Sequence, residues 1–284
     1  MAGGNSHGKE VLNLAERSYH RQRLENGFVL LSALFSLLFL QTLYGMADLF
    51  IIGQFEGVAS TTAVSVGSQV MHMLTVMIVG LAMGSTVSIG QAVGARDMKR
   101  AARSIGNTAT LFLGLSLVLT VLLLLLVRPI VSVMSTPEAA VAGTVDYLTI
   151  CFVGIPFITA YNIISSIFRG LGDSKSPMYF IAVACIANIA LDYLFMGTLH
   201  MGPSGAALGT TLSQTISVLL SLVVITARKN DLSIRRSDLC PAWPVMKQIL
   251  SVGIPVALQD GFTSGPWTCP CLRSPPFWRI GTSG

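Results

Sequence analysis

Six stretches of this chain are long and apolar enough to cross a lipid bilayer, which leaves few folds open. They run roughly 28–53, 62–93, 105–127, 147–168, 178–199 and 205–227. Each is near or above the ~20 apolar residues that a spanning helix needs. In hydrocarbon the backbone must satisfy its own N–H and C=O groups, so stretches of this kind are helices. The expected fold is all-α, a polytopic transmembrane helical bundle. Only 11% of the residues are charged and the mean hydropathy is +0.69, against ~25% charged in a soluble domain. The second stretch is long for one crossing: either Gly80, Gly84 and Gly90 kink it, or part of it leaves the bilayer. A seventh stretch, 245–262, is cut short near Phe262 and reads as an incomplete span.

The basic residues set the orientation. Lys9, Arg17, Arg21 and Arg23 precede the first span, and Arg96, Lys99, Arg100 and Arg103 follow the second. Arg169 and Lys175 follow the fourth, and Arg228, Lys229, Arg235, Arg236 and Lys247 follow the sixth. The opposite loops hold only Arg128. Basic residues gather on the cytoplasmic side, so the expectation is a multi-pass cell-membrane protein with a cytoplasmic N-terminus. The chain then divides into a cytoplasmic segment 1–27, a six-span lobe 28–227, a cytoplasmic linker 228–244, the incomplete span 245–262 and a tail 263–284. Because the positive charge is spread over four separate loops, it follows from topology and does not argue for a nucleic-acid partner. The polar lead is too long for a cleavable signal.

Cys151 and Cys185 lie within spans and read as small packing residues. Cys269 and Cys271 form a C-x-C in the tail, but a metal site needs further ligands at a second spacing, and none is present. The tail from Thr263 combines Pro, Trp, Cys and Arg without periodicity and reads as a shifted frame or as a disordered end.

Two carboxylates stand where charge is costly. Asp48 lies near the end of the first span and Asp192 within the fifth. Ionisable residues in a span face a protein interior or a water-filled path and mark function. With the N-terminus inside, both spans run outward. At 1.5 Å per residue, Asp48 is ~30 Å and Asp192 ~21 Å from the start of its span. Asn188, four residues before Asp192, shares its helix face. Thr210 lies ~7 Å into the sixth span, which runs inward. Asp48, Asn188, Asp192 and Thr210 therefore reach a similar depth in the outer half. Oxygen ligands of this kind suit a hard cation such as Na⁺, and a carboxylate in apolar surroundings can also take a proton. Two alternatives stay open: Asp48 snorkels to the interface, or Asp192 bonds Asn188, Tyr193 or a neighbouring helix. Tyr44, Gln69, Gln91, Tyr161, Asn162 and Gln214 are weaker candidates to line a cavity, with Gln41 and His72 behind them. Gly80, Ala82, Gly84 and Ser85 read as residues that let helices pack closely.

Several stretches resemble one family: MADLFIIGQ (46–54), GLAMGSTVSIGQAVGARD (80–97), RGLGDSKSP (169–177), NIALDYLF (188–195), GAALGTTLSQ (205–214) and VGIPVALQ (252–259). Together, in this order, they are similar to multidrug and toxic compound extrusion (MATE) transporters. The resemblance implies twelve spans in two pseudo-symmetric six-helix lobes working by alternating access. It implies secondary active export of organic, often cationic, compounds in exchange for Na⁺ or H⁺, with no enzymatic step and no cofactor beyond the coupling ion. It also implies that Asp48, Asn188, Asp192 and Thr210 form the cation site, with Thr211 replacing Thr210 if the helix shifts by one. The match covers the first lobe and the start of a seventh helix, so the expected partners are a small organic substrate, the bilayer, and a second lobe or another copy of the chain. The chain is expected to be only a partial copy of such a transporter.

Two other readings compete. A lipid-linked oligosaccharide flippase of the same broad fold would line its cavity with basic residues, and these spans contain no internal Lys or Arg. An intramembrane aspartyl protease needs two carboxylates sharing a proton. Gly170-Leu171-Gly172-Asp173 matches its G-x-G-D pattern, but in a loop, where a helix-ending turn is the simpler reading.

Overall fold

The computed structural model describes Phe35, Phe39, Thr42 and residues 46–227 and 241–264. The segment 1–27, most of the first expected span with Gln41 and Tyr44, most of the linker and the tail from 265 lie outside the described residues. Among the described residues every regular element is a helix. They are α1 (Met46–Phe55), α2 (Val58–Gly94), α3 (Met98–Val133), α4 (Glu138–Gly170), α5 (Lys175–Asp192), α6 (Gly202–Ala227) and α7 (Trp243–Ser264). α5 runs on into a π-helical turn, Tyr193–Thr198. Among the described residues, five helices are long and apolar enough to cross a membrane: α2, α3, α4, α5 with its π turn, and α6.

The helices are longer than hydropathy alone suggests. α2 has 37 residues, α3 36 and α4 33, so α2 is ~55 Å long at 1.5 Å per residue. A bilayer core is ~30 Å thick, so these helices tilt or project beyond it. Hydropathy marks the apolar centre of each helix, whereas the hydrogen-bonded ladder continues through polar ends. α2 is one continuous helix through Gly80, Gly84 and Gly90. Its glycines serve contact. A Cβ on Gly80 would sit 2.7 Å from the Cα of Ala257, and one on Gly84 would collide with the carbonyl oxygen of Ile249. Both partners belong to α7, which packs along α2. α7 has 22 residues, a crossing length, although Lys247, Gln248, Gln259 and Asp260 make it more polar than the five spans.

Local chemistry sets the helix ends. The Asp97 carboxylate accepts from the N–H of Arg100 at 3.0 Å and caps α3. Glu138 stands in the first turn of α4 and Arg169 in its last, each sign suited to the helix dipole. Left-handed residues close the junctions: Arg96 (φ 57°), Ser135 (φ 52°), Gly172 (φ 88°), His200 (φ 48°) and Gly202 (φ 56°). Asp173 accepts from the N–H groups of Lys175 and Ser176, both at 3.1 Å, and from Ser176 Oγ at 2.6 Å. The G-x-G-D segment is therefore the turn that ends α4, with Asp173 bonding the first N–H groups of α5.

α4 is the central helix and packs against α2, α3 and α6. Its Tyr147, Leu148, Cys151, Phe152 and Ile155 join Ile51 and Ile52 of α1, Val64 of α2, and Ala206 and Ala207 of α6 in the main core. Lipid is as apolar as this core, so burial alone stabilises the bundle little, and close packing and interhelical hydrogen bonds decide. Ser217 Oγ donates to the Phe180 carbonyl at 3.0 Å, and Thr86 Oγ1 to the Ser166 carbonyl at 3.2 Å.

Candidate functional site

The α1, α5 and α6 helices bring Asp48, Asn188, Asp192 and Thr210 together inside the bundle. Asn188 and Asp192 stand one turn apart on α5, and both are 0% exposed. Asp48 is 4% exposed, so its side chain lies within the protein and does not snorkel to a rim. Thr210 Oγ1 donates to Asp48 Oδ2 at 3.2 Å. Asp192 and Asn188 are the other polar side chains beside Asp48. Thr211, the alternative to Thr210, turns away toward Gly154 on α4.

Few of the polar atoms in this cluster are satisfied by protein. Asp48 Oδ1, both carboxylate oxygens of Asp192 and both amide atoms of Asn188 are buried without a hydrogen-bond partner. Buried polar atoms are nearly always paired, because leaving one unpaired costs several kcal/mol, about 2–7 by transfer scales. Two neighbouring ionised carboxylates also repel each other, and a proton or a cation between them removes that repulsion. The donor set is oxygen-rich and therefore fits Na⁺, and it fits a proton equally well. No group of three or more His, Cys, Asp or Glu side chains stands together among the described residues.

Immediately after Asp192 the helix widens into the π turn, a form often found at functional sites. Its first residue, Tyr193, meets Phe55 edge to face at 5.9 Å. That contact ties the end of α1, about two turns past Asp48, to the residue next to Asp192.

A cavity of about 160 Å³ adjoins the cluster, and Asp48 and Thr210 form part of its wall. Tyr161, Asn162 and Gln214 line it, as does His72. Asn162 Nδ2 donates to the Ile158 carbonyl at 2.8 Å, and Gln214 Oε1 is buried and unpaired. Gln69 and Gln91 do not line it. Gln91 lies near the far end of α2, where Gln248 Nε2 donates to its Oε1 at 3.4 Å. Tyr44 falls outside the described residues.

Sequence reading overlooked Ser68, Thr75 and Tyr147, which also line the cavity. Tyr147 OH and Ser68 Oγ are 3.1 Å apart. The span boundary hid Tyr147, because a fourth span starting at 147 puts it at the membrane surface. α4 starts at Glu138, which places Tyr147 ~14 Å along the helix. With that start, its depth would have marked it.

Comparison with known proteins converges on one family. The family model MatE matches residues 33–194. The chain is 35% identical over 221 residues to the probable multidrug resistance protein YpnP of Bacillus subtilis (strain 168), covering 78% of this chain and 49% of that protein. Among solved structures, an inward-facing multidrug resistance MATE family transporter of the MOP superfamily is 30% identical with a TM-score of 0.73, covering 79% of this chain and 51% of that one. An outward-facing structure described in the same words is 28% identical with a TM-score of 0.75, covering 80% and 51%. The chain spans about half the length of the curated relatives it matches.

Proposed function

The chain belongs to the MATE family of transporters, and from that premise we propose that it forms the N-terminal lobe of a secondary antiporter exporting organic, often cationic, compounds in exchange for Na⁺ or H⁺. It is a multi-pass membrane protein and not an enzyme. One observation carries the coupling proposal: Asp48 and Asp192 are buried side by side, with Asn188 and Thr210, and three of their four carboxylate oxygens have no protein donor. A group that binds there and leaves on the other side of the membrane would drive export. Asp48 also borders the cavity, so an ion at the carboxylates and an organic cation in the cavity would compete for the same negative charge. Such competition is what exchange requires.

The near-equal match to inward- and outward-facing structures favours a lobe that moves largely as one body. Transport then needs a second repeat to rock against it. The basic end of the bundle, with Arg96, Lys99, Arg100, Arg103, Arg169 and Lys175, faces the cytoplasm in this proposal.

The test joins this lobe to a second lobe in cells without other such transporters. Drug export should appear, and Asp48→Asn or Asp192→Asn should abolish it at unchanged expression. Full export by either variant would overturn the coupling role. These 284 residues expressed by themselves should insert and yet export nothing. Orientation is checked separately by cysteine labelling: Arg100→Cys should react only from inside, and external labelling in sealed cells would reverse the topology.

A further inference from the structure

Three consecutive residues of α6 meet three different helices. Gly209 faces α5, where a Cβ would fall on Asp192 Oδ1 and come within 3.3 Å of Asp192 Cγ. Thr210 reaches α1 through its bond to Asp48 Oδ2. Thr211 sits against Gly154 on α4, where a Cβ on Gly154 would lie 2.6 Å from Thr211 Cγ2 and 2.8 Å from its Oγ1. Successive residues of a helix point ~100° apart. Contacts in three such directions at one level fix the rotation of α6 about its axis. That rotation decides whether Thr210 meets Asp48 and whether the Asp192 carboxylate has space.

We propose that Gly209 and Gly154 are positioning residues for the Asp48–Asp192 pair. Gly209 leaves the volume that the Asp192 carboxylate fills, and Gly154 receives Thr211 so that Thr210 is turned onto Asp48. The proposal rests on reading that pair as the coupling site. It makes the two glycines specific to the ion response, unlike glycines that only let helices approach. A methyl group at 209 strikes the Asp192 carboxylate, while the nearest backbone atom, Asp192 N, is at an ordinary 3.6 Å. Asp192 has no hydrogen bond holding it there, so the carboxylate yields and the bundle remains.

The test uses the purified 284-residue chain in detergent and follows its Tm against Na⁺ concentration at several pH values. An ion bound only by the folded state raises Tm. Gly209→Ala should raise the half-saturating Na⁺ concentration, or shift the pH response, by about tenfold or more, with a small loss of Tm. In an Asp192→Ala background the same substitution should cost no Tm, because the carboxylate it would strike is gone. Gly154→Ala should weaken the ion response in the same way and be relieved by Thr211→Ala. Gly114→Ala, with nothing within 4 Å of its added Cβ, should respond to ions like the unaltered chain. An equal loss of Tm for Gly209→Ala with and without Asp192, or an unchanged ion response, would overturn the proposal. An unaltered chain deaf to both Na⁺ and pH would refute the coupling reading. The Gly209–Asp192 pairing would still be decided by the Tm cycle.

Discussion

The α2–α7 and α5–α6 contacts both depend on glycine, but what stands opposite the glycine differs. Between α2 and α7 the neighbour is backbone. Gly84 lies against the Ile249 carbonyl, Gly253 against the Leu81 carbonyl, and Gly80 against the Ala257 backbone. Between α5 and α6, Gly209 lies against the end of a side chain, the Asp192 carboxylate. A packed backbone cannot step aside, whereas a carboxylate can turn about its bonds. The same methyl group therefore separates two helices at one contact and displaces a carboxylate at the other. Glycine at a helix interface has a role that only its neighbour defines.

The largest effect should come where the neighbour cannot move. Gly84→Ala should destabilise the α2–α7 contact by about 3 kcal/mol, the upper end of ordinary overpacking. A Gln91→Cys/Gln248→Cys pair, at positions whose side-chain ends meet at 3.4 Å, should be bridged readily by a short bifunctional thiol reagent in the otherwise unaltered chain and poorly with Gly84→Ala. Undiminished cross-linking with Gly84→Ala would erase the distinction between the two contacts.

A polar anchor should matter somewhat less. Asn107 on α3 is fully buried. Its Oδ1 accepts from the N–H of Ala242, just before α7, at 2.6 Å, and its Nδ2 donates to the Arg103 carbonyl at 2.9 Å. Asn107→Ala leaves that N–H without its acceptor and should cost about 2 kcal/mol. Proteolysis near residue 241 should accelerate, while the Na⁺ and pH response of the carboxylate site stays as it was. An altered ion response would mean that the α7 anchor and the site are coupled, and the two regions could not be treated as independent.

Much of this contrast is hidden from the sequence, for physical reasons. The apolar stretches are readable because a bilayer imposes a length and a composition on whatever crosses it. The common level of Asp48, Asn188, Asp192 and Thr210 is readable because a helix converts residue number into depth at a fixed rise. Gly80 and Gly84 are recognisable as packing residues, since small residues in spans usually are. Their partner α7 is not, because nothing in α2 names it. Gly209 is silent for the same reason: its role depends on a carboxylate seventeen positions earlier on another helix. The π turn after Asp192 depends on backbone hydrogen bonding that composition does not encode. Tyr147 was lost to a boundary, since the polar first turns of α4 fall below any hydropathy threshold.

The smallest effect has the opposite sign and completes the contrast. Gly114 lies in α3 on an exposed part of its surface, and a Cβ there meets nothing within 4 Å. It faces neither a backbone nor a side chain. Glycine inside a helix costs roughly 0.5–1 kcal/mol relative to alanine, because its chain loses more freedom on folding. With no contact to spoil, Gly114→Ala should recover part of that and raise Tm by a few degrees. Gly84→Ala should lower Tm strongly, and Gly209→Ala should lower it slightly while changing the ion response. These three variants add the same methyl group to three helices, so intrinsic helix preference is held constant among them. If Gly114→Ala were also destabilising, the losses at Gly84 and Gly209 would reflect a general intolerance of the bundle to added bulk, and the neighbour would no longer explain the difference.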